Sequence, residues 1–422
     1  MPTSDTAFVF SHIPDGVPRL VGRYRYMRTA ASRAFGEFGY VGSWLRRKDA
    51  YPLDPVNLPL SRETFTTTKR GGLFGPLADA TPDRWGRELV ALRTPGKLFS
   101  PVDWLHVPGR DRVGCLDFSA KSDRAPAVAP DRLGLASLEA IAAEFERIEA
   151  GLPAHPEAVR IYNAGSSMGG VRPKAVIEDA GALWIAKFER RTDTFNQCGA
   201  EHAAMRLAAM CEIEVAETRL VEVGPRKAVL VKRFDRSPAP EFTPTLHFIS
   251  ALSLLDGDET SAEGSYFAIA AEILRHGSRP DEDRIELFRR MVFNVFCGNR
   301  DDHLKNHALV YDGRGWRLSP AFDVLPQPDM NPEQAIAVGR SGVYPSVANC
   351  LSRCGDFGLS ADAARAEISR ISRVVSGWRT VFSQEGIASS TVDRVAPAFA
   401  IADVCAPDEG APRHAAQPVR PP

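Results

Sequence analysis

The segment Gly298-Asn-Arg-Asp-Asp-His-Leu-Lys-Asn306 sets two carboxylates, an imidazole, an ammonium and an amide within nine positions. Such groups are costly to bury without partners, so the segment is expected to face a polar cleft as a catalytic loop, although alone it would also suit an exposed polar turn. A second segment tips that balance. Arg317-Leu-Ser-Pro-Ala-Phe-Asp-Val-Leu325 carries Asp323 in apolar surroundings, and a hairpin at Asp312-Gly-Arg-Gly315 returns it toward Asp301 and Asn306. Phosphoryl transfer needs this set: an Asp to orient the hydroxyl and accept its proton, and an Asn with a second Asp to hold magnesium on the phosphates. Asp301 and Asn306 lie five positions apart, the offset between Asp and Asn in the kinase signature H-R-D-L-x-x-x-N. That spacing favours Asp301 over the adjoining Asp302 as the base.

Phosphates also need cations and backbone N–H groups. Lys187 stands in the apolar run Leu183-Trp-Ile-Ala-Lys-Phe188, where an unpaired charge would cost several kcal/mol unless it reached solvent or a ligand. An edge lysine is the plain alternative, and the upstream glycine loop favours phosphate binding. That loop, Ser166-Ser-Met-Gly-Gly-Val-Arg-Pro-Lys174, lacks Walker A spacing; Gly169 and Gly170 would let backbone approach phosphate, with Arg172 and Lys174 adding charge. Glu201, on the following helix, is a candidate partner for Lys187 by analogy with kinases.

Several elements must position these groups. Turn chemistry at Glu178-Asp-Ala-Gly-Ala182 predicts a hairpin, Gly199 to Cys211 a helix, and Thr218 to Val223 with Ala228 to Lys232 a second hairpin around Gly224-Pro225. Beyond residue 245 the pattern turns helical, notably Asp283 to Cys297, where Ile285, Phe288, Val292 and Val295 or Phe296 share a face. The expected fold is α+β: a two-lobed protein-kinase-like fold, with a mixed β lobe followed by a mainly helical lobe and a small α+β N-terminal domain in front. The corresponding ranges are 1–122, 123–240 and 241–405, with the Pro- and polar-rich stretch Lys121 to Arg132 as linker and a disordered Pro- and Ala-rich tail at 406–422. Pro82-Asp-Arg-Trp-Gly86 reads as a helix start.

The chain of 422 residues is 44% hydrophobic, ample for real cores, and its 52 Lys and Arg against 53 Asp and Glu leave a net charge of −1. Neither nucleic acid nor an anionic membrane is attracted by that balance overall. No apolar run reaches the ~18–20 residues of a membrane span, and the start lacks a signal-peptide pattern, so a cytoplasmic location without membrane association is expected. Seven scattered cysteines, of which only Cys350 and Cys354 are close, suit reduced thiols and no structural metal.

These motifs resemble the HipA family, kinase toxins of bacterial toxin–antitoxin modules. The resemblance runs through Ser167-Met-Gly-Gly-Val-Arg-Pro-Lys174, Ile185-Ala-Lys187, Val231-Lys-Arg-Phe-Asp-Arg236, Asp301-Asp-His-Leu-Lys-Asn306 and Ser319-Pro-Ala-Phe-Asp323, and extends to Tyr51-Pro-Leu-Asp-Pro-Val-Asn-Leu-Pro-Leu60 and Pro82 to Gly86. It implies a serine/threonine protein kinase using ATP and Mg2+, with Asp301 as base and Asn306 and Asp323 binding the metal. His303 and Lys305 would complete the catalytic loop. Gly169, Gly170, Val171, Arg172, Lys174 and Lys187 would surround the nucleotide phosphates, and Val231 with Lys232, Arg233 and Phe234 would form the hinge beside adenine. Ser167, with Ser166 beside it, matches a loop serine that the family autophosphorylates to switch itself off, and the added charge would repel ATP phosphates. The resemblance further implies a helix-turn-helix, HipB-like antitoxin and, through it, operator DNA, and a protein substrate such as an aminoacyl-tRNA synthetase. Two other readings are a small-molecule phosphotransferase of the aminoglycoside-kinase kind, disfavoured by the motif order, and an inactive kinase-like binding or repressor module, disfavoured by the intact Lys187, Asp301, Asn306 and Asp323.

Overall fold

A computed structural model describes residues 4–29, 34–107, 111–126, 132–152, 155, 161, 172–257, 264–328 and 331–405. The glycine loop through Val171 and the tail at 406–422 lie outside these residues. Three sheets carry the architecture. The first, antiparallel throughout, is built from β1 (Ser4–Ser11), β2 (Arg19–Arg28), β3 (Ala34–Tyr40), β4 (Phe65–Thr67) and β5 (Leu116–Ser119) in the order β4-β3-β2-β1-β5. Its core holds Tyr24, Phe38, Trp44 and Tyr51.

The second sheet has the order β6-β7-β8-β10-β9, from β6 (Leu133–Gly134), β7 (Lys174–Asp179), β8 (Ala182–Phe188), β9 (Thr218–Val223) and β10 (Arg226–Lys232). The β7–β8 hairpin turns through Ala180 and Gly181, both at positive φ (48° and 73°), the backbone that a two-residue hairpin with right-handed twist requires. Register then pairs Lys174 directly with Lys187, so both side chains leave the same face of the sheet. Helix α1 (Arg84–Arg93) and helix α2 (Leu138–Glu149) cover the other face, where Trp85 and Leu89 of α1 join Ile141, Phe145, Ile177 and Ala186 in one buried cluster. Packing does not follow the expected boundary at residue 122 in the case of α1, whose Trp85 and Leu89 lie in the core of the β lobe.

Helix α3 (Gln197–Met210), N-capped by Asn196, crosses to the largest core, shared with α4 (Tyr266–His276), α5 (Pro280–Cys297), α6 (Ala361–Val375) and the three-stranded sheet β11 (His247–Ser250), β12 (Ala308–Tyr311) and β13 (Trp316–Leu318). Pro280 at the first turn with Asp281, Glu282 and Asp283 suits the positive end of the α5 dipole. At its other end Gly298 adopts φ 62°, and a Cβ there would stand 2.3 Å from the Ala398 carbonyl oxygen. Only glycine ends this helix where the loop carrying Asp301 must begin. Among the described residues no helix is long and apolar enough to cross a membrane.

Candidate active site

Leaving α5 at Gly298, the chain turns through Asp301 and Asp302 into a short 3-10 segment, Leu304–Asn306, before entering β12. The two adjacent carboxylates have opposite surroundings. Asp302 is 3% exposed, and its Oδ2 accepts hydrogen bonds from the Tyr266 hydroxyl, from Asn294 Nδ2 at 2.8 Å and from His307 Nε2 at 2.8 Å. It anchors the loop to α4, to α5 and to His307 just before β12. Asp301 is exposed, with partial desolvation of its carboxyl, aided by the negative Asp323 and Asp302, raising its pKa above the ordinary range while His303 opposes the rise. A raised carboxylate facing a cleft is the better proton acceptor.

Asn306 is buried and donates from Nδ2 to the Asp301 carbonyl at 3.2 Å, which leaves Oδ1 for a cation. Asp323 arrives from β13 by way of a parallel bridge: Ala321 N donates to the Glu214 carbonyl and Ala216 N to the Ala321 carbonyl. It sits at φ 61°, left-handed backbone that a non-glycine residue adopts at some cost, as residues at functional sites often do. Lys187 Nζ bonds Asp323 Oδ1 at 2.5 Å and Glu201 Oε1 at 2.6 Å. Burial alone would lower the Lys187 pKa, but Asp323 and Glu201 raise it above the ordinary lysine value, so the ammonium stays charged. For Asp323 desolvation is likewise overcome, by Lys187 and Lys174, and its carboxyl is held well below the usual range. Burial raises Glu201 against the pull of Lys187. The strand lysine, helix glutamate and two acids expected of a kinase are thus brought together.

Other expected residues lie elsewhere. Arg172 bonds Asp193 and Gln197, and accordingly braces the start of α3 rather than pointing into the cleft. Arg233 is buried against the N-terminal sheet unit, donating to the carbonyls of Asp111 (2.7 Å) and Arg112 (2.8 Å) and to Asp235, because a guanidinium sealed from water needs every donor satisfied. Lys232 turns outward to Glu217 at 2.7 Å. Of the hinge residues, Phe234 remains near the cleft, 6.2 Å from the Phe322 ring that precedes Asp323. His303 and Lys305 are exposed on the loop. Ser166, Ser167, Gly169, Gly170 and Val171 lie outside the described residues. Sequence reasoning missed the Tyr266, Asn294 and His307 support of the loop, for which no local pattern exists.

Two family models match the chain: the HipA-like C-terminal domain over residues 166–378 and the HipA N-terminal domain over residues 24–119. The chain belongs to the HipA family. That is a kinase family, and the kinase-like fold implies use of ATP. The chain is similar to "Putative kinase Y4mE" of Sinorhizobium fredii, 28% identical over 333 residues that cover 72% of this chain and 76% of the relative. It is also similar to "Serine/threonine-protein kinase toxin HipA" of Shewanella oneidensis, 25% identical over 142 residues, 30% of this chain and 33% of that protein. The fold matches HipA in the solved complex of Shewanella oneidensis HipA, HipB and operator DNA, with a TM-score of 0.68 at 18% identity over 94% of this chain and 97% of that one.

Magnesium fits the residues that the family implies for it. Among the described residues no group of three or more His, Cys, Asp or Glu could form an all-protein cage. Asn306 Oδ1 and the Asp323 carboxylate offer the few oxygens that magnesium takes from protein when phosphates supply others.

Proposed function

We propose that the chain is a HipA-type serine/threonine protein kinase that transfers the γ-phosphate of ATP to a protein hydroxyl. The observation that carries this reading is the union of Lys187, Glu201 and Asp323 in one hydrogen-bonded set, beside a catalytic loop presenting Asp301 and Asn306. Asp301 accepts the proton of the incoming hydroxyl as its oxygen bonds to the γ-phosphorus and the bond to the β–γ bridging oxygen breaks, releasing ADP. Lys187, held charged by its two acids, meets the α- and β-phosphates. Asn306 and Asp323 would hold Mg2+, which when bound neutralises charge on the phosphate oxygens.

Family membership supports a toxin role, restrained by a HipB-like antitoxin and linked through it to operator DNA, with an aminoacyl-tRNA synthetase as target class. Inhibitory autophosphorylation would fall on Ser167 or Ser166, where a phosphate adds roughly −1.5 to −2 charges beside the nucleotide site. Phosphoproteomics of cells expressing wild type or Asp301→Ala tests substrate and switch together. Acceptor serines or threonines labelled only by wild type, with Ser166 or Ser167 among them, are expected; label confined to a small molecule would overturn the protein-kinase reading.

A further inference from the structure

The cleft contains a carboxylate that the catalytic scheme does not use. Asp83 comes from the N-terminal part of the chain and caps α1: its Oδ1 accepts the Gly86 N–H at 2.8 Å. Its Oδ2, sealed from solvent, accepts no hydrogen bond among the described residues and lies 4.0 Å from Lys174 Nζ. Helix α1 is immobilised two residues later by Trp85, 1% exposed and edge-on to Phe145 at 5.1 Å, inside the β-lobe core. Lys174 is itself 5% exposed and lies directly across the β7–β8 ladder from Lys187. Two ammonium groups facing each other on one buried sheet face repel, and each needs its own counter-charge. Lys187 bonds Glu201 and Asp323, and the Asp83 carboxylate stands within ion-pair distance of Lys174. Burial disfavours the Lys174 ammonium, and Asp83 is the largest influence restoring it.

We infer that Asp83 is a positioning residue of the phosphate subsite: it holds Lys174 as a cation beside Lys187, so that the cleft's affinity for nucleotide triphosphate depends on a residue outside both kinase lobes in sequence. The inference rests on the phosphoryl-transfer reading above and adds a residue to it. Burial also lifts the Asp83 carboxyl to about 6, against the pull of Lys174 and Lys305, as expected of a carboxylate kept in an enclosed cation cluster.

Asp83→Asn is the informative substitution, because asparagine caps a helix as well as aspartate while carrying no charge. In the full chain, KM for Mg-ATP is expected to rise about tenfold, a loss typical of one charge-assisted contact, with kcat within about twofold and unchanged thermal stability. Lys174→Met should raise KM similarly, and the double variant should be no worse than either single one, as for residues acting as a unit. An Asp83→Asn protein with unchanged or lowered KM, or strict additivity in the double variant, overturns the inference while leaving phosphoryl transfer intact. A wild-type protein that binds no Mg-ATP, measured by direct titration, overturns the phosphoryl-transfer reading and this inference with it.

Discussion

Asp302 turns inward to Tyr266, Asn294 and His307, while Asp301 beside it meets the cleft. Replacing Asp302 by Ala strands three buried donors, and we expect a loss of about 3 kcal/mol in urea unfolding, against less than about 0.5 kcal/mol for Asp301→Ala at its exposed position. Equal, small losses for both would contradict the division of roles. The five-residue spacing to Asn306 pointed to Asp301, and spacing could do so because it reflects one continuous loop. The same reasoning could not reveal where Arg172 and Arg233 point. Their partners, Asp193 and the carbonyls of Asp111 and Arg112, lie far along the chain or across a packing interface that no local pattern encodes.

At the scale of elements, the loop's geometry depends on how α5 ends. Gly298→Ala would force a Cβ against the Ala398 carbonyl and a left-handed alanine, costing about 2–3 kcal/mol. A melting temperature within a degree of wild type would show that the α5 terminus is not under this constraint. Hairpins and helices were legible where their signals are local: the turn at Ala180-Gly181, the apolar face of α5 and the Ala-rich α3 all fall where the pattern puts them. Helix α1 was legible as a helix start but not as a piece of the β lobe. Trp85 and Leu89 show only that α1 has an apolar face, and the surface that receives it, Ile141 and Phe145 with the sheet, is supplied some fifty residues later.

Across the whole molecule, the N-terminal sheet unit is bonded to both lobes. Asp235 sits between Arg233 and Arg236, whose guanidinium groups donate to the carbonyls of Arg112 and Gly114, and Asp79 accepts from Ser250 and Ser253 near β11. Asp235→Ala removes the carboxylate bonded to two buried cations and should cost about 3–5 kcal/mol in chemical unfolding. A neutral effect would mean that this junction carries no strong ionic coupling. His247 on β11 donates from Nε2 to the Leu53 carbonyl at 2.8 Å, and burial pushes its pKa down to about 4. The unfolded chain takes up that proton from about pH 6.5 downward while the folded one refuses it until about 4, so stability is intact above this window and falls on acidification by about 3 kcal/mol. The stability gap between wild type and His247→Phe, read from urea midpoints, should therefore shrink from pH 7 to pH 4; a constant gap would rule out this histidine as the source. The central claim is tested most directly by incubating purified protein with γ-labelled Mg-ATP and counting phosphate on protein serine and threonine. We predict stoichiometric label on wild type and a loss of at least about a hundredfold in rate for a folded Asp301→Ala variant; label transferred equally well by that variant would contradict the account.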